Sequence, residues 1–201
     1  MNNLRTDLKV ICDIVQSGAK VLDIGCGDGE LLKALKAEKN VSGRGIELDQ
    51  ANVSACLAAG LSVMQGDADM DLLHYPSDSF DYAILTQTLQ ATKHPDKILQ
   101  ETLRIARKTI VALPNFGYWK NRVQLLLDGQ MPVTKKLSYE WYETPNIHFC
   151  TLKDFVNLNK KLGIKIEKRL AITATNKIIS FSGSGGIANI FGEQGIFLLS
   201  R

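Results

Sequence analysis

Val21-Leu22-Asp23-Ile24-Gly25-Cys26-Gly27-Asp28-Gly29 is the stretch on which the fold turns. Val21, Leu22 and Ile24 read as a short buried strand, and Asp23 interrupts them near its C-terminal end. Gly25, Gly27 and Gly29 then recur at every second position, and Glu30-Leu31-Leu32-Lys33-Ala34-Leu35-Lys36 begins a helix. Strand, glycine turn and helix start bring a ligand up against bare backbone. Glycine takes φ > 0 and leaves no Cβ in the way, and the first N–H groups of the helix are unpaired. The dinucleotide fingerprint G-x-G-x-x-G/A fails, because Glu30 stands at its sixth position. A Glu in the first helical turn also repels a pyrophosphate. An Asp inside the strand asks for a cation or several donors. The loop therefore suits a ligand with an ammonium and a sulfonium and no phosphate; a tight turn holding no ligand is the alternative.

Asp23-Ile-Gly-Cys-Gly-Asp-Gly29 resembles the first motif of class I S-adenosylmethionine-dependent methyltransferases, whose cofactor has that charge pattern. The resemblance covers about residues 17–113. It implies an α/β fold: a Rossmann-like, doubly wound, mostly parallel seven-stranded sheet with an antiparallel last strand. One methyltransferase-like domain over 1–201 is expected, with an aromatic-rich insertion at about 115–149.

Length and composition agree with one well-buried domain. The chain has 201 residues, of which 45% are hydrophobic and 22% charged, and a net charge of +3. So small a charge gives no reason to expect nucleic acid, which asks for a concentrated basic face. No apolar run reaches the about 18 residues of a membrane span, and residues 1–7 have no signal-peptide core, which predicts a cytoplasmic protein. Cys12, Cys26, Cys56 and Cys150 are scattered with no C-x-x-C, against a zinc site or a disulfide frame.

Outward from the glycine turn, Leu8, Ile11, Cys12 and Val15 keep a helical period over residues 4–16. A helix is predicted through about Lys39, stopped at Asn40, followed by a second strand over 41–48. Asp49 reads as the N-cap of a helix at 50–59 closed by Gly60. Glu47 lies about twenty residues past the glycine turn, where a nucleoside-binding α/β fold puts a carboxylate on the ribose hydroxyls. A solvated Glu, or an ion pair with Arg44, is the other reading. Leu61–Gln65 is a third strand, and residues 66–71 form an acidic turn. Within it Asp67 is placed to accept from an adenine amine and the Ala68 N–H to serve a ring nitrogen; a solvated acidic loop is the alternative. Residues 80–86 form a fourth strand, and Gln87, Thr88 and Leu89 follow it at the switch point, where the ligand crevice of such sheets lies. Pro95 opens a helix. Arg104, Arg107 and Lys108 gather at its C-terminal end, where the helix dipole favours cations, and Thr109–Leu113 is a fifth strand ended by Pro114.

The β–α alternation then breaks. Residues 115–149 carry both tryptophans, Trp119 and Trp141, and Tyr118, Tyr139 and Tyr142, with a short helix predicted at about 118–127. Such an insertion on the ligand side is a substrate lid, a partner surface, or a plain cover. Asn115, Tyr118, Trp119, Tyr139, Trp141 and Tyr142 are its candidate substrate or partner residues. His148 is a weak candidate base, and neither it nor His94 has metal-ligand spacing. Thr151-Leu-Lys-Asp154 has the form of a capping box before a helix to Leu162. Residues 164–172 and 195–200 are predicted to be two antiparallel strands with no helix between them, joined through a flexible Ser182–Gly186 connector.

A narrower resemblance covers nearly the whole chain. Leu22–Leu32, Gly45-Ile-Glu-Leu-Asp49, Thr86-Gln-Thr-Leu-Gln90, Leu113–Arg122, Met131–Lys135, Trp141–His148 and Asn189-Ile-Phe-Gly-Glu-Gln194 are similar to the methionine-biosynthesis MetW family. That family implies a bacterial protein acting with a homoserine O-acyltransferase of the MetX type at the first committed step toward methionine. Together the two resemblances imply S-adenosylmethionine, or S-adenosylhomocysteine, as ligand. They imply a binding set of Asp23, Gly25, Cys26, Gly27, Glu47, Leu48, Asp67, Ala68, Thr86 and Gln87. A small-molecule methyltransferase with the insertion as lid, and a ligand sensor with no stable partner, are the competing readings.

Overall fold

A computed structural model describes residues 4–134, 137 and 139–201. Lys135, the last residue of the Met131–Lys135 motif, lies outside them. In chain order the elements are α1 (Thr6–Ile14), β1 (Lys20–Ile24), α2 (Glu30–Lys39), β2 (Ser42–Glu47), α3 (Gln50–Ala58), β3 (Ser62–Gln65), α4 (Ala68–Asp71), β4 (Phe80–Thr86), α5 (Pro95–Ile105), β5 (Ala106–Pro114), α6 (Trp119–Asp128), α7 (Leu152–Lys161), β6 (Lys165–Thr173), β7 (Ile178–Ser180), α8 (Gly186–Phe191) and β8 (Gly192–Ser200). Two 3-10 turns, Leu72–His74 and Leu89–Ala91, flank β4.

The strands lie in the order β3-β2-β1-β4-β5-β8-β6-β7. β1 through β5 run parallel, while β8 is antiparallel to both β5 and β6. The order reverses between β1 and β4, so the crevice of the switch point opens above the ends of those two strands. The expected mostly parallel sheet with an antiparallel last strand is present, but among the described residues it has eight strands rather than seven. The extra one, β7, pairs Ile178–Ser180 with Leu170–Ile172. All three of its residues are exposed, so no alternation of burial marks it in the sequence. The prediction of no helix between the last strands is also corrected: the six-residue α8 follows the glycine connector. Six residues are too few for a helical period to show.

Leu22 and Ile24 face one way, into a core with Leu99, Leu103, Phe155 and Phe197. Val21 faces the other way, against Leu8, Ile11, Leu31 and Leu35 of α1 and α2. The period of two puts Asp23 on the face of Val21. The predicted caps hold. Asn40 ends α2 at φ +51°, Asp49 accepts from the N–H groups of Ala51 and Asn52, and both halves of the Thr151–Asp154 capping box are made.

Two local predictions are corrected. Residues 68–71 are a helix rather than an acidic turn, with Asp67 as N-cap and the Asp71 carboxylate accepting from the Asp67 N–H at 2.7 Å. The basic residues near 104–108 do not gather, because α5 passes into β5 with no loop between them. Arg104 instead donates to Glu101 and to the carbonyls of Leu72 and Tyr75, and Lys108 pairs with Glu167 at 2.7 Å. Because α4 is so short, one face of β2 and β3 is thinly covered. A cleft of about 450 Å³ lined by Arg44, Val63, Met64 and Tyr75 lies there, at the sheet edge. Among the described residues no helix is long and apolar enough to cross a membrane.

Candidate functional site

The three glycines do different work. Gly25 has φ +70°, and a Cβ on it would collide with the Thr88 side chain, whose hydroxyl donates to the Ile24 carbonyl at 2.9 Å. Gly29 has φ +79°, and a Cβ there would drive into Leu61 and Cys56. Gly27 has φ +55° and nothing within 4 Å of where its Cβ would stand. Two glycines thus let the bend pack against its neighbours, and the third presents bare backbone to open space.

Glu47 fastens this bend to the end of β2. Its Oε2 accepts from the Gly27 N–H at 2.7 Å and its Oε1 from the Asp49 N–H at 3.0 Å. A carboxylate has about four acceptor positions, so two remain for a ligand. The Gly25 N–H donates to the Ile46 carbonyl at 2.8 Å, which closes the bend over β2.

In front lies a cavity of about 170 Å³ whose walls come from the ends of β1, β2 and β3 and from the 3-10 turn after β4. Of the expected binding set, Gly25, Glu47, Leu48, Asp67 and Ala68 line it, and Gly27 belongs to the same bend. Leu48 is an exposed aliphatic side chain there. Asp67 Oδ1 accepts from the Asp69 N–H at 2.9 Å, so part of its acceptor capacity is spent as a helix cap. Cys26 is a correction to that set. Its thiol is buried with Leu32, Cys56 and Leu61 beneath the bend, and burial pushes its pKa well up. It is a packing group, not a lining one. Thr86 and Gln87 do not line the cavity. Thr86 Oγ1 is buried without a partner, and Gln87 takes φ +58°, unusual for a residue with a Cβ, with its N–H held by the Ala112 carbonyl at 2.7 Å. Thr88, Ala91 and Thr92 line the cavity and were absent from the expected set. The switch-point rule points at the loop after β4, but not at which side chains turn inward.

Asp23 lies below, 1% exposed, with one carboxylate oxygen buried and unpartnered. Burial, and secondarily the Glu47 charge, raises its pKa from 3.8 to about 7. The folded chain keeps this proton to a higher pH than the unfolded chain does. The contribution to stability is therefore whole below pH 4 and is lost as pH rises to about 7. Asp23→Asn is expected to raise the melting temperature at pH 8 by several degrees and to leave it nearly unchanged at pH 4, as read by scanning calorimetry. An equal gain at both values would contradict the assignment.

The family model described as methionine biosynthesis protein MetW matches residues 5–199. The chain belongs to the MetW family. It is 33% identical over 176 residues to the bifunctional methionine biosynthesis protein MetXA/MetW of Rhodopirellula baltica. That match covers 83% of this chain but only 28% of the relative, so the chain spans little more than a quarter of it. Among solved structures, an S-adenosylmethionine-dependent methyltransferase from Mesorhizobium loti superposes with a TM-score of 0.71 at 16% identity, over 98% of each chain. A putative methyltransferase and the Trm112 methyltransferase activator, in complex, come from Haloferax volcanii; the match has a TM-score of 0.69 at 18% identity, over 97% of this chain and 88% of that one. These likenesses establish a methionine-biosynthesis protein on the methyltransferase fold.

In this MetW-family chain the insertion is built on Asn115, which is 1% exposed. Its amide donates to the carbonyls of Asn189 and Gly192, and its Oδ1 accepts from the N–H groups of Gly117 and Leu152. With that amide saturated and Tyr118 also buried, these two residues support the insertion from beneath and present nothing to a substrate or partner, which corrects the expectation for them. The others do face out: Trp141 is 70% exposed, Tyr142 67%, Tyr139 51% and Trp119 39%. Leu126 and Leu127 add exposed apolar surface on α6. Phe116, Leu137 and Phe149 share a small pocket with Tyr139 and Trp141; Leu137 is buried there, Phe149 is exposed, and the Phe116 and Phe149 rings are 4.7 Å apart. Gln90 ties the insertion to the crevice: its side-chain amide donates to the Gln87 carbonyl at 2.7 Å and to Asn146 Oδ1 at 3.1 Å, and its backbone carbonyl accepts from the His148 backbone N–H at 3.0 Å. His148 itself stands apart from the 170 Å³ cavity. Among the described residues no group of three His, Cys, Asp or Glu side chains could hold a metal.

Proposed function

We propose that this chain binds S-adenosylmethionine or S-adenosylhomocysteine in the crevice between the Gly25–Gly29 bend and Glu47, and that it acts with a homoserine O-acyltransferase of the MetX type. The observation that carries the ligand reading is Glu47 bound to the bare Gly27 N–H, with a second carboxylate, Asp23, buried at the end of β1 within range of the Glu47 charge. One of them is buried with an oxygen unpartnered, which a positively charged ligand relieves and a diphosphate aggravates. Glu47 then takes the ribose hydroxyls on its free acceptor positions, Leu48 covers the base, and Asp67 with the Ala68 N–H meets the base edge.

The partner reading rests on two things. In the Rhodopirellula relative, MetXA and MetW are named as parts of one bifunctional protein. In this chain, exposed aromatics are concentrated on the insertion, and tryptophan and tyrosine are the side chains that most often anchor interfaces. Exposed apolar surface of this kind marks interaction sites. Gln90 stands between the crevice and the insertion, so ligand occupancy has a physical route to the partner surface. That is allostery only when each binding event alters the affinity of the other.

Homoserine acylation by the acyltransferase, measured with and without this protein at several S-adenosylmethionine concentrations, tests the reading. A rate that depends on this protein and shifts with the ligand is expected. Full activity of the free acyltransferase, with no complex by gel filtration, would overturn the partner half. Methyl transfer to a small acceptor is the second reading, favoured by the fold of the neighbours. It needs mainly proximity and alignment, so the lack of a placed base does not count against it. Label transfer from S-adenosylmethionine to a metabolite pool would establish it.

Gly27→Ala separates ligand binding from folding. The variant is expected to cost about 1 kcal/mol of stability for its positive φ, and to lower S-adenosylmethionine affinity about fivefold or more in a calorimetric titration. Unchanged affinity would remove the bend from the site.

A further inference from the structure

The cleft of about 450 Å³ at the β2–β3 edge shares no lining residue with the crevice, and it carries both signs of charge. Arg44 and Asp71 line it together with Val63, Met64, Tyr75 and Pro76. Arg44 pairs in register with Leu22 of β1 and stands two residues before Ile46. It therefore shares the sheet face on which those two side chains are buried in the core. α4 has only four residues, and Arg44 is left exposed where a longer helix would cover the row.

Among the described residues Arg44 makes no hydrogen bond and no ion pair, with Asp71 or with any other carboxylate. Asp71 spends Oδ2 on the Asp67 N–H at 2.7 Å, while its Oδ1 is neither buried nor partnered. The Tyr75 hydroxyl donates to Met64 Sδ at 3.2 Å, in a contact open to solvent. A thioether is a weak acceptor, so this donor is free to turn to a better one. Tyr75 itself is held in place: Arg104 donates to its carbonyl at 2.7 Å, and its ring lies 6.1 Å from that of Phe80. Burial raises the Tyr75 pKa above its usual value; the Arg44 charge opposes this and the Asp71 charge adds to it, so both charges act at one hydroxyl. Opposite charges that line one cleft without pairing leave room between them for a molecule that carries both.

From this arrangement we infer that the cleft is a binding site for a free zwitterionic α-amino acid with an apolar side chain. The carboxylate goes to the Arg44 guanidinium, whose paired N–H groups match its two oxygens, and takes the Tyr75 hydroxyl from Met64. The ammonium group goes to Asp71 Oδ1. The side chain lies along Val63, Met64 and Pro76. Apolar walls with a few convergent polar groups are the make-up of a small-molecule site. A molecule with only a negative charge meets the repulsion of Asp71, and one with only a positive charge meets that of Arg44, so each charge both attracts one end of the ligand and selects against half of it. The inference stands without the proposed function: neither the nucleoside nor the acyltransferase enters it, and the crevice is a different space.

L-Norleucine, hexanoate and pentylamine are the probes, since the last two are norleucine without its ammonium and without its carboxylate. Protein labelled at its methionine and leucine methyls is titrated with each and followed by NMR. Norleucine is expected to shift the Met64 methyl saturably, with a dissociation constant at least fivefold below those of the other two. Arg44→Gln is expected to weaken norleucine and hexanoate at least fivefold and to leave pentylamine bound as tightly or tighter. Asp71→Asn keeps an oxygen for the Asp67 N–H; it is expected to weaken norleucine and pentylamine at least threefold and to strengthen hexanoate. Opposite shifts for the two half-molecules are a signature that a merely structural role of either residue would not give. If Asp71→Asn does not fold, Tyr75→Phe replaces it and is expected to weaken norleucine and hexanoate at least threefold while sparing pentylamine. Absence of a saturable shift at Met64, or a response at the Leu48 methyls of the crevice in its place, would overturn the site. Equal affinity for the three probes, or indifference to the Arg44 change, would overturn the recognition of a zwitterion.

Discussion

Glu47→Ala is expected to weaken S-adenosylmethionine binding at least tenfold by isothermal titration, with the chain still folded. Two losses combine. The ribose hydroxyls lose a charged acceptor, and hydrogen bonds to charged groups contribute about 1.5–3 kcal/mol each. The Gly27 N–H also loses its 2.7 Å bond, so the bend that faces the ligand is no longer held. Glu47→Gln separates the two. It keeps the shape and one acceptor oxygen, and it removes the charge that acts on Asp23. An intermediate loss is expected for it. The fold tolerates either change because Glu47 is half-buried at a strand end, outside the apolar core. An unchanged dissociation constant in Glu47→Ala would remove the assignment.

Trp141→Ala is the second large effect, and it falls on a different function. At 70% exposure Trp141 gives up little packing when truncated, so melting temperature and S-adenosylmethionine affinity are expected to stay within about twofold and a few degrees of the parent. Affinity for the acyltransferase is expected to drop at least about thirtyfold, the loss of a 2 kcal/mol interface anchor, with a matching fall in acylation. Trp119→Ala should act in the same direction and more weakly, because Trp119 is only 39% exposed and its ring lies 6.0 Å from that of buried Tyr118. If both variants support acylation at the parent rate, the insertion is a cover and the partner surface lies elsewhere.

The first half of the fold was legible because each of its signals is local. Alternate glycines after a three-residue apolar strand, an Asp before a helix, and a Pro at a helix start each act through one or two hydrogen bonds or a single φ angle. They fall where they were read, at Gly25–Gly29, Asp49 and Pro95. What was missed depends on distance or on shortness. β7 and α8 are too brief to show a period. The α5–β5 junction has no turn residue to announce it, so Arg107 and Lys108 were read as helix-end cations.

The site divides along the same line. Glu47 was found from its spacing to the glycines, but the Gly27–Glu47 bond that makes it structural as well is a contact over 20 residues. Cys26 shares the bend with Gly25 and Gly27, and only the packing of α3 reveals that its thiol turns down toward Cys56 and Leu61. Asn115 opens the insertion and was read with its aromatics. Its partners Asn189 and Gly192 lie more than seventy residues on, so its role as a bracket could not be read locally. Gln90 closes the Thr86–Gln90 motif, but its role is not legible there, since it lies in joining Asn146 and His148 to the turn after β4.

A crystal of this protein soaked with S-adenosylmethionine tests the central claim most directly. The account predicts the nucleoside between residues 25–29 and Glu47, its ribose oxygens within hydrogen-bond distance of that carboxylate and its ammonium group on the Asp23 side. A crevice closed by the protein's own side chains at saturating ligand, or a dinucleotide diphosphate bound there in its place, would contradict it.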